Sequence, residues 1–360
     1  MKAKNGVLLV NLGTPDSPKV SDVRRYLDEF LMDARVIDIP PLQRNLLVRG
    51  IIVPFRSPKT AKLYQAIWDP ETGSPLLHIS ELQTELLRKA LGDEYQVELA
   101  MRYQNPTIET ALERFRTAKI DRLLVIPLFP QYAAACTGSV VEKVMEIMRK
   151  WTVFPQLTFV NQFYNHPLMI GAFAENAQAK QVEKFDHVLF SFHGLPVRQL
   201  NAVDGTGMHD CEKAGCRYEI NDQNKFCYAA QCYETAKLIA KELQLEQNKY
   251  TVCFQSRLGK SPWIQPYTSD VLHTLAKQGA KRLLVLCPAF VADCLETLYE
   301  IRVEYGEEFK KLGGDQVELV PSVNDHPKFI EALKQMVLAN DGGSQVLLPA
   351  FANGISELKA

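Results

Sequence analysis

The chain has 360 residues, of which 46% are hydrophobic and 23% charged, with a formal net charge of −1. That balance excludes a global basic field for nucleic acid and an acidic disordered tail, and no run approaches the ~18 apolar residues needed to span a bilayer. A cytoplasmic protein of roughly two domains is expected, in which the eight cysteines serve as thiols or metal ligands rather than disulfides.

The first element is the run VLLVNLGTP (7–15), short, apolar and closed by Gly and Pro, which reads as a buried strand and not a signal peptide. Residues 40–55, PPLQRNLLVRGIIVPF, are apolar but interrupted by Arg44 and Arg49. They suit a helix packed on the core, or a lip over an apolar pocket that touches a membrane face through its arginines. The loops PFRSP (54–58), DPETGSPL (69–76) and LFPQYAAACTGS (128–139) mix Arg, Ser and small residues with apolar ones. That composition suits a large apolar ligand carrying a few carboxylates, with Arg56 placed to pair with one.

The two halves resemble each other. VLLVNLGTP parallels VLFSFHGLP (188–196), YQVELAMR (95–102) parallels YTVCFQSR (250–257), and DRLLVIP (121–127) parallels KRLLVLCP (281–288). Helical spacings such as Leu82-Leu86-Leu87-Leu91 and Ala236-Ile239-Ala240-Leu243 lie between these strands. The expectation is an α/β protein of two similar Rossmann-like domains, each a parallel sheet flanked by helices. The first covers 1–165, with a pocket lip at about 40–76, and the second 166–341; no structure is assigned to the tail, 342–360. Ligands of such folds bind beyond the carboxyl ends of the strands, so a cleft is expected between the halves.

The halves differ chemically, because Leu12 stands where the second half has His193. An imidazole after a buried strand is either a satisfied structural group or a base at a pocket mouth. The segment PAFVADCLETLYEIRVEYGEE (288–308) follows another strand. Its Asp293, Glu296, Glu300, Glu304 and Glu307 recur every three or four residues, giving an acidic stripe along a helix. Such a stripe is either a solvated face or a track for cations and protons, since like charges at i, i+4 destabilise a helix. One histidine beside carboxylates suits Fe(II). Trp263, between Pro262 and Pro266, is a core plug or an aromatic wall for a flat ligand.

Four further cysteines, Cys211, Cys216, Cys227 and Cys232, follow the spacing C-x4-C-x10-C-x4-C. Four thiolates suit tetrahedral zinc or an iron–sulfur cluster, and spacing alone does not separate them.

The motifs VLLVNLGTP, SFHGLP, QSRLGKSPW and CPAFVADCLETLYE, in this order along nearly the whole chain, resemble the signatures of the ferrochelatase family. The resemblance implies a chelatase-like fold of two Rossmann-like halves and insertion of Fe(II), as substrate, into a porphyrin as the final step of haem biosynthesis. By the same resemblance His193 is the active-site histidine and Glu296 the essential carboxylate. Asp293, Glu300 and Glu304 take the further acidic positions, with Asp293 expected to be catalytic beside Glu296, the two accepting from or orienting His193 or handling the incoming metal. Trp263 is a pocket tryptophan, and Arg56 and Ser74 hold propionates. Leu12 stands where coproporphyrin-using members have a tyrosine, which favours protoporphyrin IX. Cys294 stands where animal members have a histidine. The animal cluster cannot form here, because its upstream position is Ala134 and no cysteine follows Cys294. The internal quartet resembles an alternative placement of a [2Fe–2S] cluster in some bacterial members, with zinc as the other reading. His193 either accepts pyrrole protons or binds the iron first. Coproporphyrin metalation and a non-catalytic porphyrin carrier stand as rival functions.

Overall fold

The computed structural model describes residues 5–203, 218–257 and 261–340. Each apolar run forms a strand, and the eight strands build two four-stranded, all-parallel sheets. The first contains β1 (Asn5–Gly13), β2 (Tyr95–Tyr103), β3 (Arg122–Pro127) and β4 (Gln156–Phe159), in the order β2-β1-β3-β4. The second contains β5 (His187–His193), β6 (Tyr250–Gln255), β7 (Arg282–Leu286) and β8 (Gln316–Leu319), in the order β6-β5-β7-β8. The strand order is the same in both, as the internal repeat predicts.

The repeat extends further than the three pairs of segments legible in the sequence. β4 and β8 form a fourth pair, obscured because each is a four-residue edge strand without a continuous apolar run. Asn165-His166-Pro167 and Asp325-His326-Pro327 then open the helices Pro167–Gln178 and Pro327–Asn340. Proline is well suited to a helix's first turn, where its missing N–H costs nothing.

Strand alternation decides how the halves meet. In β1, Leu8 and Val10 pack outward with Leu112 and Phe115, whereas Val7 and Leu9 point the other way. In β5, Leu189 packs outward with Leu283 and Phe309, whereas Val188, Phe190 and Phe192 join Val7 and Leu9 in one continuous apolar core. The two sheets therefore share a core, filled by the helices Pro75–Leu91, Pro167–Gln178, Tyr228–Glu242 and Pro327–Asn340. Polar ties cross between the halves within it. Gln83 Nε2 donates to the carbonyls of Val291 and Asn324, each at 2.8 Å, and the Tyr132 N–H donates to Gln231 Oε1 at 2.7 Å.

Residues 41–67 are helical throughout: Pro41–Leu47, a π-helical turn at Val48–Ile52, and Val53–Ile67. The stretch 54–58, expected as a loop, therefore lies inside a helix. Pro54 sits in its first turn, and Pro58 is accommodated in its interior. This arm packs on the helix Val20–Met32 through Val48, Val53, Ala61 and Tyr64, and Leu295 of the second half joins the same cluster. No helix among the described residues is long and apolar enough to cross a membrane.

Candidate active site

His193 is the last residue of β5, at the carboxyl edge where a doubly wound fold places its chemistry. Three main-chain bonds fix the turn behind it. The Gly194 N–H donates to the Gln255 carbonyl at 2.8 Å, the Ile264 N–H to Leu195 at 3.0 Å and the Val197 N–H to Pro262 at 3.0 Å. The Trp263 loop is thus zipped onto the histidine loop. Gly194 is required by close approach: a Cβ there would lie 2.8 Å from the Gln255 carbonyl oxygen and 3.2 Å from Trp263 Cε3. Its counterpart Gly13 meets the same constraint from β2, with a Cβ 2.1 Å from the Tyr103 carbonyl oxygen and φ of 124°. Trp263 is buried, and its indole N–H has no hydrogen-bond partner among the described residues.

His193 Nδ1 lies 2.7 Å from the Gly194 carbonyl oxygen. A carbonyl only accepts, so Nδ1 carries the proton and Nε2 keeps its lone pair. Burial holds the His193 pKa below its ordinary 6.5, the nearby Glu296 carboxylate opposes that fall, and the Arg56 guanidinium adds to it. A neutral imidazole is therefore under opposing charges, an anion from the second half and a cation from the arm of the first.

The acidic segment differs from the regular helix expected. From Glu296 to Tyr305 it is π-helical, becoming α-helical only at Gly306–Lys311. Such i→i+5 windings are rare and recur at functional sites. Asp293 lies before this helix and is not part of its stripe. Its carboxylate accepts from Thr297 Oγ1 at 2.9 Å, Asn324 Nδ2 at 2.8 Å and the Ser322 N–H at 3.3 Å. It thereby pins the start of the helix to the loop after β8.

The remaining carboxylates run from interior to solvent. Glu296 and Glu300 are half-buried, whereas Glu304 and Glu307 are exposed. Glu300 is pushed up to about 7, chiefly by burial and further by the charges of Glu296 and Glu304, against hydrogen bonds from Ser256 and Tyr305. Those donors are the Ser256 Oγ at 2.6 Å, the Ser256 N–H at 3.1 Å and the Tyr305 hydroxyl at 3.3 Å. Glu304 is also raised, by burial and then by Glu307. Gln255 and Ser256 escape a sequence reading because amides and hydroxyls carry no signature of their own, although both stand in the QSR motif.

The first half supplies the opposite wall. Leu12 is partly buried against the cluster of Tyr26, Tyr64 and Tyr103. Burial and the Glu296 charge raise the Tyr26 hydroxyl well above its ordinary range. Ser74 is buried, and its Oγ lies 2.8 Å from Thr14 Oγ1. Arg56 is exposed on the arm and makes no ion pair among the described residues. Arg44 and Arg49 are committed internally. Arg44 donates to the carbonyls of Ile37 and Ile39, and Arg49 pairs with Asp28. Both therefore have protein partners, and the Arg49 side chain is still 53% exposed in its pair.

Of the cysteine quartet, Cys211 and Cys216 lie outside the described residues. Cys227 caps the helix Tyr228–Glu242, which carries Cys232, and both are buried. Burial raises the Cys232 thiol well above its ordinary value, against a hydrogen bond with the Tyr228 side chain, and negative charge on Cys227 would raise it further. No group of three or more His, Cys, Asp or Glu side chains gathers into a metal site among the described residues.

Two parallel sheets of identical order around a shared core, with one histidine at a strand's carboxyl end and a line of carboxylates beside it, fit a metal chelatase of the two-domain type. The fold is that of SirB from Bacillus subtilis, solved with Fe3+, at a TM-score of 0.52 and 13% identity over 94% of this chain and 95% of that one. The ferrochelatase family profile matches residues 4–341. Ferrochelatase of Legionella pneumophila (strain Lens) is 46% identical over 341 residues, covering 93% of this chain and 98% of the relative. Ferrochelatase of Coxiella burnetii (strain Dugway 5J108-111) is 46% identical over 337 residues, covering 92% and 93%. The chain belongs to the ferrochelatase family, lyases that insert iron into porphyrins.

Proposed function

We propose that the protein inserts Fe(II) into protoporphyrin IX to form protohaem, with His193 as proton acceptor. The observation that carries this reading is the contact of His193 Nδ1 with the Gly194 carbonyl, which leaves the lone pair of the neutral imidazole on Nε2. A free-base porphyrin surrenders two pyrrole protons for each Fe(II) it takes. A planar macrocycle directs its nitrogen lone pairs inward, so contacts along its edge must bend it to expose them. Trp263 supplies an apolar face, and Arg56 a cation for a propionate.

A pyrrole proton reaching His193 Nε2 makes an imidazolium that Glu296 stabilises. Glu300, balanced near neutral pH, then exchanges the proton with Glu304 at the surface. Nε2 cannot bind iron while holding a proton, so His193 serves one role at a time. Asp293 acts through the helix it pins rather than on the substrate. Leu12 in place of a tyrosine favours protoporphyrin over coproporphyrin. Anaerobic assay with Fe(II) and each porphyrin tests this. Faster turnover of coproporphyrin III would refute the preference, and binding without turnover would favour a carrier.

The arm is the proposed membrane contact. Leu42, Leu46, Ile51 and Phe55 are between 57% and 74% exposed. Residues 40–68 include five cations and no acid, a composition that favours an anionic bilayer surface. Vesicle flotation should fall in the double variant L46D/F55D.

The cysteine quartet is the proposed holder of a [2Fe–2S] cluster with a structural role, since metalation moves no net electrons. The burial of Cys227 and Cys232 suits it, because bound iron would keep as a thiolate the Cys232 sulfur that burial otherwise holds protonated. Iron and acid-labile sulfide in the purified protein test this. Stoichiometric zinc without colour would overturn it.

A further inference from the structure

β5 pairs with β7 only as far as Phe190, whereas its pairing with β6 continues to His193. The last three residues of the strand, which deliver the histidine, therefore have ladder support from β6 alone. Two side chains add to that ladder: the Ser191 hydroxyl donates to Gln255 Oε1 at 2.7 Å and lies 3.0 Å from Thr268 Oγ1, and the Tyr228 hydroxyl donates to the His193 carbonyl oxygen at 2.8 Å. Tyr228 is buried and opens the helix Tyr228–Glu242 directly after Cys227. That helix is fixed in turn, since Gln231 Nε2 donates to the Lys225 carbonyl at 2.6 Å and Gln231 Oε1 accepts from the Tyr132 N–H. Thr235 Oγ1 donates to the Tyr164 carbonyl at 3.0 Å. The hydroxyl is thus held by a helix anchored to both halves.

We propose that Tyr228 is a positioning residue for metalation, fixing the His193 main chain and with it the place of the accepting Nε2. The sequence gives no hint of this, because Tyr228 stands among the cysteines as a mere spacer. Without the hydroxyl, the final strand residues gain freedom that Gly194 and Gln255 restrain from one side only. An acceptor displaced by a fraction of an ångström loses rate without losing substrate affinity. Tyr228 also places the helix that carries Cys227 and Cys232 one side chain away from the histidine.

The inference rests on His193 being the acceptor, and the test separates the two. Tyr228→Phe keeps the ring and removes one buried hydroxyl. In the full-length protein, kcat for Fe(II) insertion should fall roughly tenfold to a hundredfold. The porphyrin KM, and its Kd by fluorescence quenching, should stay unchanged, and amide exchange over residues 191–196 should accelerate. Unchanged kcat and exchange would overturn the proposal, as would loss of porphyrin binding in step with kcat, which marks a merely structural role. His193→Ala is assayed in parallel. If it turns over normally, the reading of His193 fails whatever Tyr228 does; if it is inactive while Y228F behaves as wild type, only the positioning role fails.

Discussion

Replacing Glu300 with Gln should convert a pH-dependent stability into a flatter one. In the native protein this carboxyl is pushed up to about 7 from 4.5, mainly by burial. Between those values the folded protein holds a proton that the unfolded chain has released, so stability falls as pH rises through this window. At ~1.4 kcal/mol per pH unit the full cost is about 3 kcal/mol, and partial solvent access reduces it to roughly 1–3 kcal/mol. Glu300→Gln keeps the shape but cannot ionise. Its amide sets a donor against the hydroxyls of Ser256 and Tyr305, a mismatch of about 1 kcal/mol that does not vary with pH. Urea denaturation of both proteins at about pH 5 and about pH 8 reads the difference. The stability of E300Q relative to wild type should rise by roughly 1–3 kcal/mol between the two conditions. A difference that does not change with pH would refute the burial argument for this residue.

Gly194→Ala should destabilise the fold by about 1–3 kcal/mol and depress turnover, because its Cβ meets backbone on one side and Trp263 on the other; thermal melts and the insertion assay check both. Arg56→Gln should raise the porphyrin KM roughly tenfold with little change in kcat, as loss of one charge-assisted carboxylate contact requires. An unchanged KM would remove Arg56 from the propionate site. In wild type, kcat/KM should fall as the medium is acidified below the depressed His193 pKa, since Nε2 is then already protonated; a pH profile flat through that limb would contradict the base assignment.

Much of the fold was legible because its determinants are local and repeated. Buried strands read as continuous apolar runs, and two copies of each run check one another. β4 and β8 escaped because edge strands of four residues need little hydrophobicity. The π-helix was hidden for a different reason: the spacing of Glu296, Glu300 and Glu304 fits an ordinary helix equally well, and only the hydrogen bonds distinguish the two. Asp293 keeps the stripe's spacing in sequence, yet its carboxylate is taken up by Asn324 and Thr297, contacts that no spacing announces. His193 and its acidic neighbours could be named from sequence through a family resemblance. Their tautomer, their gradient from buried to exposed, and the supporting Gln255, Ser256 and Tyr228 are products of tertiary contact.

The most direct test of the central claim is anaerobic, steady-state Fe(II) insertion into protoporphyrin IX by wild type and His193→Ala, with porphyrin affinity measured on the same samples. Wild type should turn over, and H193A should bind porphyrin with near-wild-type affinity yet form no protohaem above the uncatalysed rate. Protohaem formation by H193A at a rate comparable to wild type would contradict the assignment of His193 as the group that takes the pyrrole protons.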